Sequence, residues 1–305
     1  MKILTPPTTE LPTSEIILGC MRIAKLDKND ASILLNTALE NGINFFDHAD
    51  IYGAGKSEEV FAVALSMNPA VRENIYIQTK CGIRKGYFDF SKEHILNSVD
   101  ESLKRLKTDY VDTLLLHRPD TLVEPEEVAD AFDTLESAGK VRHFGVSNHN
   151  SGQIELLQKY IDQDLIINQL QFSITNTGMI DRGINVNMEN LPSIDHDGGI
   201  LDYCRLHDIR IQPWSPFLFG YFEGIYLDHP KFPELNETLD RIAKKKNTNK
   251  SALVIAWILR HPAKMQPIVG TTNPKRLSDI CMASDITLTR PEWYEIYRAA
   301  GNVLP

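Results

Sequence analysis

Eight short apolar runs, separated by amphipathic stretches, constrain this chain of 305 residues more than any other feature. They fall at residues 16–18, 43–46, 75–79, 111–116, 141–146, 165–170, 209–213 and 267–269. Each is rich in β-branched or aromatic side chains and nearly unbroken, the pattern of strands buried on both faces. Between them, apolar residues recur at helical spacing, as in Ala31, Leu34, Leu35 and Ala38. Ile95, Val99, Leu103 and Leu106 form a second stripe, and Val128, Ala131, Phe132 and Leu135 a third. A further helical stretch, 251–260, precedes the last run. Ser91 is placed to cap a helix start, and Gly42 and Gly139 to end two others. Strands alternating with helices predict a parallel sheet with right-handed crossovers. An open doubly wound sheet usually carries G-x-G-x-x-G after its first strand, and this sequence has no such motif. The count of eight favours a (β/α)8 TIM barrel, an α/β fold, as a single domain over residues 1–305, since such a barrel typically fills ~250 residues.

The net charge is −9, which disfavours a broad electrostatic grip on nucleic acid or an anionic membrane. No run of apolar residues reaches the length of a membrane span. The N-terminal Met1-Lys2-Ile3-Leu4 meets Pro6 and Pro7 before a signal-peptide core can form. Cys20, Cys81, Cys204 and Cys281 are scattered without a C-x-x-C pair, which argues against structural zinc or a disulfide framework and for a reducing cytoplasm. Two connections, 171–197 and 215–234, are too long for plain joints. The second carries Phe217, Phe219, Tyr221, Phe222, Tyr226 and Phe232. A flap over a ligand and packing on the barrel rim both account for these aromatics.

Active sites of such barrels lie at the C-terminal ends of the strands. The first polar residues after the runs are therefore the candidates. They include Asp47 and Tyr52, Lys80, His117, Ser147 and Asn148, Gln169, Trp214 and Ser215, and Thr271. An acid, a phenol, a lysine and a histidine on consecutive strands suit proton donation to a carbonyl. A phenol with a pKa near ~10 is a poor acid at neutral pH, and an adjacent ammonium favours tyrosinate and lowers that pKa. Lys80 can supply the ammonium, Asp47 can neutralise it, and His117 can donate to the carbonyl oxygen. No side chain delivers a hydride, so a reductant is required, nicotinamide being the usual one. Asp47-His48-Ala49 lacks the H-x-H of metal-dependent barrel hydrolases, so no metal site is expected. Gly53-Ala54-Gly55-Lys56-Ser57 imitates the end of a P-loop, but Asp50 stands where its first glycine belongs, so it reads as a turn entering a helix.

These residues carry a resemblance. Phe46-Asp47-His48-Ala49-Asp50-Ile51-Tyr52-Gly53 resembles the aldo-keto reductase signature. Thr79-Lys80-Cys81-Gly82, Leu115-Leu116-His117-Arg118-Pro119-Asp120 and the segment 139–148 match its other blocks in order. The Asp-His-Ala-Asp-Ile-Tyr and His-Arg-Pro-Asp versions are similar to bacterial oxidoreductase-type members. The resemblance implies a catalytic set of Asp47, Tyr52, Lys80 and His117, with Tyr52 as general acid in the reduction of a small aldehyde or ketone. It implies NADPH, with NADH as the alternative, bound extended without a Rossmann unit. Ser147, Asn148 and Gln169 would hold the carboxamide, with Trp214 stacked on the nicotinamide. Ser215 and Phe217 would lead to the pyrophosphate. Gly19, Cys20 and Met21 would border nicotinamide and substrate, with Asp47 beside them. Thr271 and Arg276 belong to a block resembling the 2′-phosphate site, where Asn273 and Pro274 would open a helix. Gly270 stands where many members have lysine, and Ile280 where an adenine-binding asparagine is common. A second function agrees with the same residues: a regulatory or binding barrel that keeps the cofactor without significant catalysis, as potassium-channel β subunits resemble this family.

Overall fold

Each apolar run forms a strand, and all eight join one parallel sheet. The computed structural model describes residues 1–5 and 11–305; Pro6 and Pro7, on which the signal-peptide argument rests, lie outside the described residues. The strands are β1 Ile17–Gly19, β2 Phe45–Asp47, β3 Tyr76–Cys81, β4 Val111–Leu116, β5 Val141–Ser147, β6 Leu165–Gln171, β7 Arg210–Trp214 and β8 Ile268–Val269. They pair in the order β7-β6-β5-β4-β3-β2-β1-β8. The Gln266 N–H donates to the Ile211 carbonyl at 3.0 Å across the seam between β7 and β8. The sheet thus comes round on itself as a (β/α)8 barrel.

The strands are shifted from the apolar runs: five of the eight begin one or two residues later. Six of the eight reach one or two residues further toward the C-terminus, as β3 does to include Lys80 and Cys81. The backbone ladder continues while the side chains turn polar, because the inward positions at that end line the mouth instead of a dry core.

The helices α1 Lys28–Glu40, α2 Lys56–Ala64, α3 Lys92–Leu106, α4 Pro125–Ser137, α5 Ser151–Gln158, α6 Ile200–Leu206, α7 Lys250–Leu259 and α8 Pro274–Cys281 cover the outside. Their apolar stripes are buried against the strands: Leu34, Leu35, Ile95, Val99, Val128 and Phe132 are all closed to solvent. The Ser91 hydroxyl accepts from the His94 N–H as the cap of α3. Gly42 and Gly139 follow α1 and α4 with φ of 81° and 68°, the left-handed conformation that glycine takes without strain.

Inside the barrel the core is layered. Ile17, Phe45, Leu115, Ile167 and Ile268 form an apolar cluster with Leu11. The next inward positions toward the mouth are Asp47, Gln78, Gln169 and Gln212, all buried.

Neither long connection is a plain loop. Residues 171–197 contain the helix Gly178–Ile184 and a 3-10 turn at Leu191–Ser193. Residues 215–234 fold back as an antiparallel pair, Leu218–Phe219 with Gly224–Ile225. Phe219 and Tyr226 pack on the rim, and the Tyr226 hydroxyl donates to the Pro216 carbonyl at 2.8 Å. Tyr221 and Phe222 are exposed at the tip, and Phe222 stacks on Trp214 with ring centroids 5.8 Å apart. The aromatics thus divide between the two expectations. Among the described residues no helix is long and apolar enough to cross a membrane.

Candidate active site

Four side chains from three consecutive strand ends meet at the barrel mouth. Asp47 closes β2, Tyr52 lies in the turn beyond it, Lys80 is in β3, and His117 follows β4. The fully buried Lys80 Nζ donates to the Asp47 carboxylate at 2.8 Å, the His48 carbonyl at 2.7 Å and the Tyr52 hydroxyl at 3.1 Å. Three acceptors match the three protons of an ammonium, so the buried charge is both neutralised and hydrogen-bonded. Asp47 Oδ1 accepts from Gln78 Nε2 at 2.6 Å and Gln169 Nε2 at 2.9 Å.

Burial works against the Lys80 ammonium, but Asp47 and Tyr52 outweigh it and hold its pKa above the usual lysine value. For Tyr52 the balance differs from the simple expectation of a lowered pKa. Burial pushes the phenol up from its ordinary value; the Lys80 ammonium pulls it down without reversing the shift. Burial, with Lys80 and Arg118 adding, drives the His117 pKa well below the usual imidazole value, so the ring is neutral. It meets the Tyr52 ring edge to face, centroids 6.1 Å apart.

A cavity of about 570 Å³ runs from Tyr52 and His117 to Arg276 and Ile280. Its lining includes Gly19, Met21, Asp47, Ser147, Asn148, Gln169, Trp214, Ser215, Phe217 and Thr271. Cys20 is the exception among the residues expected to bind the cofactor. Its thiol is buried and faces the Leu18 carbonyl, and the residue is not part of the cavity wall. Trp214 Nε1 donates to Asn148 Oδ1 at 3.0 Å, and Asn148 Nδ2 donates to Ser147 Oγ at 2.8 Å. Asn148 and Ser215 hold left-handed backbones, φ 62° and 55°, immediately after β5 and β7. Such strain gathers where structure must present a group in one orientation.

At the far end, Asn273 caps α8 by accepting from the Arg276 N–H, with Pro274 at its first position. Arg276 is exposed and forms no ion pair among the described residues. A cavity with a hydrogen-bonding inner end and, at its far end, a guanidinium without an ion pair among the described residues beside a helix start fits a phosphate-bearing dinucleotide.

The strand-end reasoning missed two arginines in the wall. Arg22 Nη1 donates to the Gly270 carbonyl at 3.0 Å, beside the position where many members carry lysine. Arg118, next to His117, sits over the Trp214 ring at 5.8 Å without an ion-pair partner among the described residues. It also missed Gln78 and Gln212; a glutamine inside an apolar run was the available signal.

Asp50 lies behind the site and has one oxygen without a hydrogen-bond partner. Burial, with the nearby Glu58 charge, raises its pKa to about 6. A folded-state value above the unfolded one means stability that is present below pH ~4 and lost as pH rises through about 6. Asp50→Asn is therefore expected to raise stability by about 1–2 kcal/mol at pH 7 and hardly at all at pH 4. Denaturant unfolding at the two pH values checks this; an equal gain at both would refute the assigned cause.

Comparison with known proteins decides the family. A model described as the aldo/keto reductase family matches residues 15–300. The chain belongs to the aldo/keto reductase family. It is 36% identical over 304 residues to the uncharacterized oxidoreductase YcsN of Bacillus subtilis, covering 95% of both chains. It is 34% identical to a 6-dehydroglucose reductase of Agrobacterium fabrum, again over 95% of both. Among solved structures, the thermostable aldo-keto reductase Tm1743 superposes with a TM-score of 0.79 at 23% identity, covering 98% of this chain and 100% of that one. This aldo/keto reductase is thus of the bacterial oxidoreductase type, a nicotinamide-dependent enzyme that reduces carbonyl compounds.

Proposed function

We propose that the protein reduces a small aldehyde or ketone to the alcohol with NADPH, and that Tyr52 is the general acid. The observation that carries the reading is the Lys80 ammonium 3.1 Å from the Tyr52 hydroxyl, with His117 in the same cavity wall. When bound, the nicotinamide supplies the hydride. Tyr52 gives its hydroxyl proton to the carbonyl oxygen. Lys80 stabilises the phenolate left behind, and Asp47 keeps Lys80 charged. The neutral His117 ring donates to the oxygen as negative charge builds there. Ser147, Asn148 and Gln169 would hold the carboxamide, and Trp214 would stack on the ring. Ser215 and Phe217 would reach the pyrophosphate, and Gly19 and Met21 would wall the nicotinamide. Thr271 and Arg276 would take the 2′-phosphate. We also read the chain as one cytoplasmic domain, a reading supported by four cysteines that are all unpaired.

The test is loss of NADPH near-ultraviolet absorbance against a carbonyl panel, repeated with NADH. Turnover with neither cofactor on any carbonyl, despite tight NADPH binding, would favour a binding barrel instead. Arg276→Ala is expected to raise the KM for NADPH by roughly 10–100-fold, the worth of hydrogen bonds to a charged group, and to leave that for NADH within about twofold. Equal effects on both cofactors would remove Arg276 from the 2′-phosphate site.

A further inference from the structure

The polar layer inside the barrel is a hydrogen-bonded chain of amides whose orientations are fixed from one end. Gln266 Nε2 donates to the Ser14 carbonyl at 2.6 Å and to Thr13 Oγ1 at 2.9 Å. A backbone carbonyl only accepts, so Gln266 must present its NH2 group there and turn its oxygen the other way. That oxygen accepts from Gln212 Nε2 at 3.3 Å. Gln212 Oε1 in turn accepts from Gln78 Nε2 at 2.9 Å and from Gln169 Nε2 at 3.3 Å. The second N–H of each of these two amides points at Asp47 Oδ1, at 2.6 Å from Gln78 and 2.9 Å from Gln169. Gln78 and Gln212 are completely buried, and Gln169 and Gln266 are 3% exposed. The hydrogen bonds therefore run unbroken between two acceptors, the Ser14 carbonyl at the closed end of the barrel and the carboxylate that holds Lys80, with Gln78 and Gln169 donating toward both.

We propose that Gln78 and Gln212 are positioning residues: through this amide chain they fix the plane of the Asp47 carboxylate, so that the Lys80 ammonium it holds stays seated against the Tyr52 hydroxyl. The proposal rests on the functional reading above only for its effect on turnover; the coupling itself is a property of the ligand-free protein. Burying several amides in a barrel core is costly unless each is hydrogen-bonded. Apolar side chains would fill the same layer without that requirement. Gln78 Oε1 has no partner among the described residues, so Gln78 accepts a cost for the sake of its two donated bonds. Without the Gln78 donor the Asp47 carboxylate is free to turn, and the Lys80 ammonium it holds is no longer fixed against the Tyr52 hydroxyl. The Tyr52 phenol then loses the ammonium that opposes its upward shift.

The test uses Gln78→Met, which keeps length and removes the donor, and Gln212→Met, one link further away. Tyr52 is titrated in the ligand-free protein by tyrosinate absorbance, as the difference between each protein and its Tyr52→Phe counterpart. Gln78→Met is expected to move that titration upward by about one pH unit. It should lower kcat roughly 10-fold and leave the KM for NADPH within about twofold. Gln212→Met should shift the titration in the same direction by less, and serves alone should Gln78→Met fail to fold. A titration unmoved in the folded variants, with only a lower melting temperature, would overturn the proposal even where Tyr52 proves to be the acid. A moved titration would support it even where turnover assigns the proton to another group.

Discussion

Tyr52→Phe is expected to cut kcat for carbonyl reduction by ~10²–10⁴ while leaving NADPH affinity within about twofold. The substitution removes one hydroxyl and keeps the ring that meets His117 edge to face. The Lys80 ammonium retains Asp47 and the His48 carbonyl as acceptors, so the buried charge stays paired. Loss of rate in this variant therefore reports the proton and not a collapsed site. The pH dependence follows from the direction of the Tyr52 shift. Burial holds the phenol above its ordinary pKa, so it stays protonated through the neutral range. Reductive kcat should be flat from about pH 6 to 8 and should fall only beyond the ordinary phenol value near ~10. Oxidation of the alcohol needs the phenolate, so its rate should climb with pH over the same span. The neutral His117 adds no inflection near the usual imidazole value. Normal turnover by Tyr52→Phe, or a reductive rate that halves across the neutral range, would contradict this assignment.

How far the sequence carried this result depended on which face a residue turns. The strands and helices were legible because their burial demands apolar residues at a period that a reader can count. Their C-terminal limits were not, because Asp47, Lys80 and Ser147 stay in the ladder while facing a polar mouth. That same polarity made the meeting of Asp47, Tyr52, Lys80 and His117 legible, since an acid, lysine and histidine at buried strand ends need each other. Arg22 and Arg118 escaped notice because a guanidinium beside a strand end looks the same whether solvent, a carboxylate or an empty cavity receives it. Gln78 and Gln212 interrupt apolar runs visibly, but only strand register tells whether such an interruption points to the axis or to the helices. Asp112, the second residue of Val111–Leu116, shows the other outcome: its neighbour Thr113 shares the inward face with Leu115, and Asp112 points outward.

There it meets Arg72, and the second large effect concerns this pair. Arg72 Nη2 lies 2.6 Å from Asp112 Oδ2, and both side chains are almost completely buried. Three more guanidinium protons are used: Nε donates to Thr108 Oγ1 at 3.1 Å, Nη1 to the Ile75 carbonyl at 2.8 Å and Nη2 to the Tyr110 carbonyl at 3.2 Å. Asp112 also receives the Ile77 N–H at 2.8 Å. Tyr110 lies between two cations, with Arg72 3.9 Å and Arg142 3.8 Å from its ring centroid. These contacts tie the short helix Pro69–Arg72 to the N-terminal ends of β3 and β4, opposite the mouth. Arg72→Ala leaves the Asp112 carboxylate buried, with only the half-exposed Arg142 at 3.4 Å as a counter-charge. Breaking a buried pair from one side costs about 3–5 kcal/mol, which in a chain of this size lowers the melting temperature by roughly 5–10 °C. Turnover per folded molecule should not change, because no contact of Arg72 reaches the cavity that holds Tyr52 and His117. Thermal unfolding and active-site-normalised rates measured together decide the point. An unchanged melting temperature would show that the pair is dispensable, and a lost rate in folded enzyme would show that the two ends of the barrel are coupled.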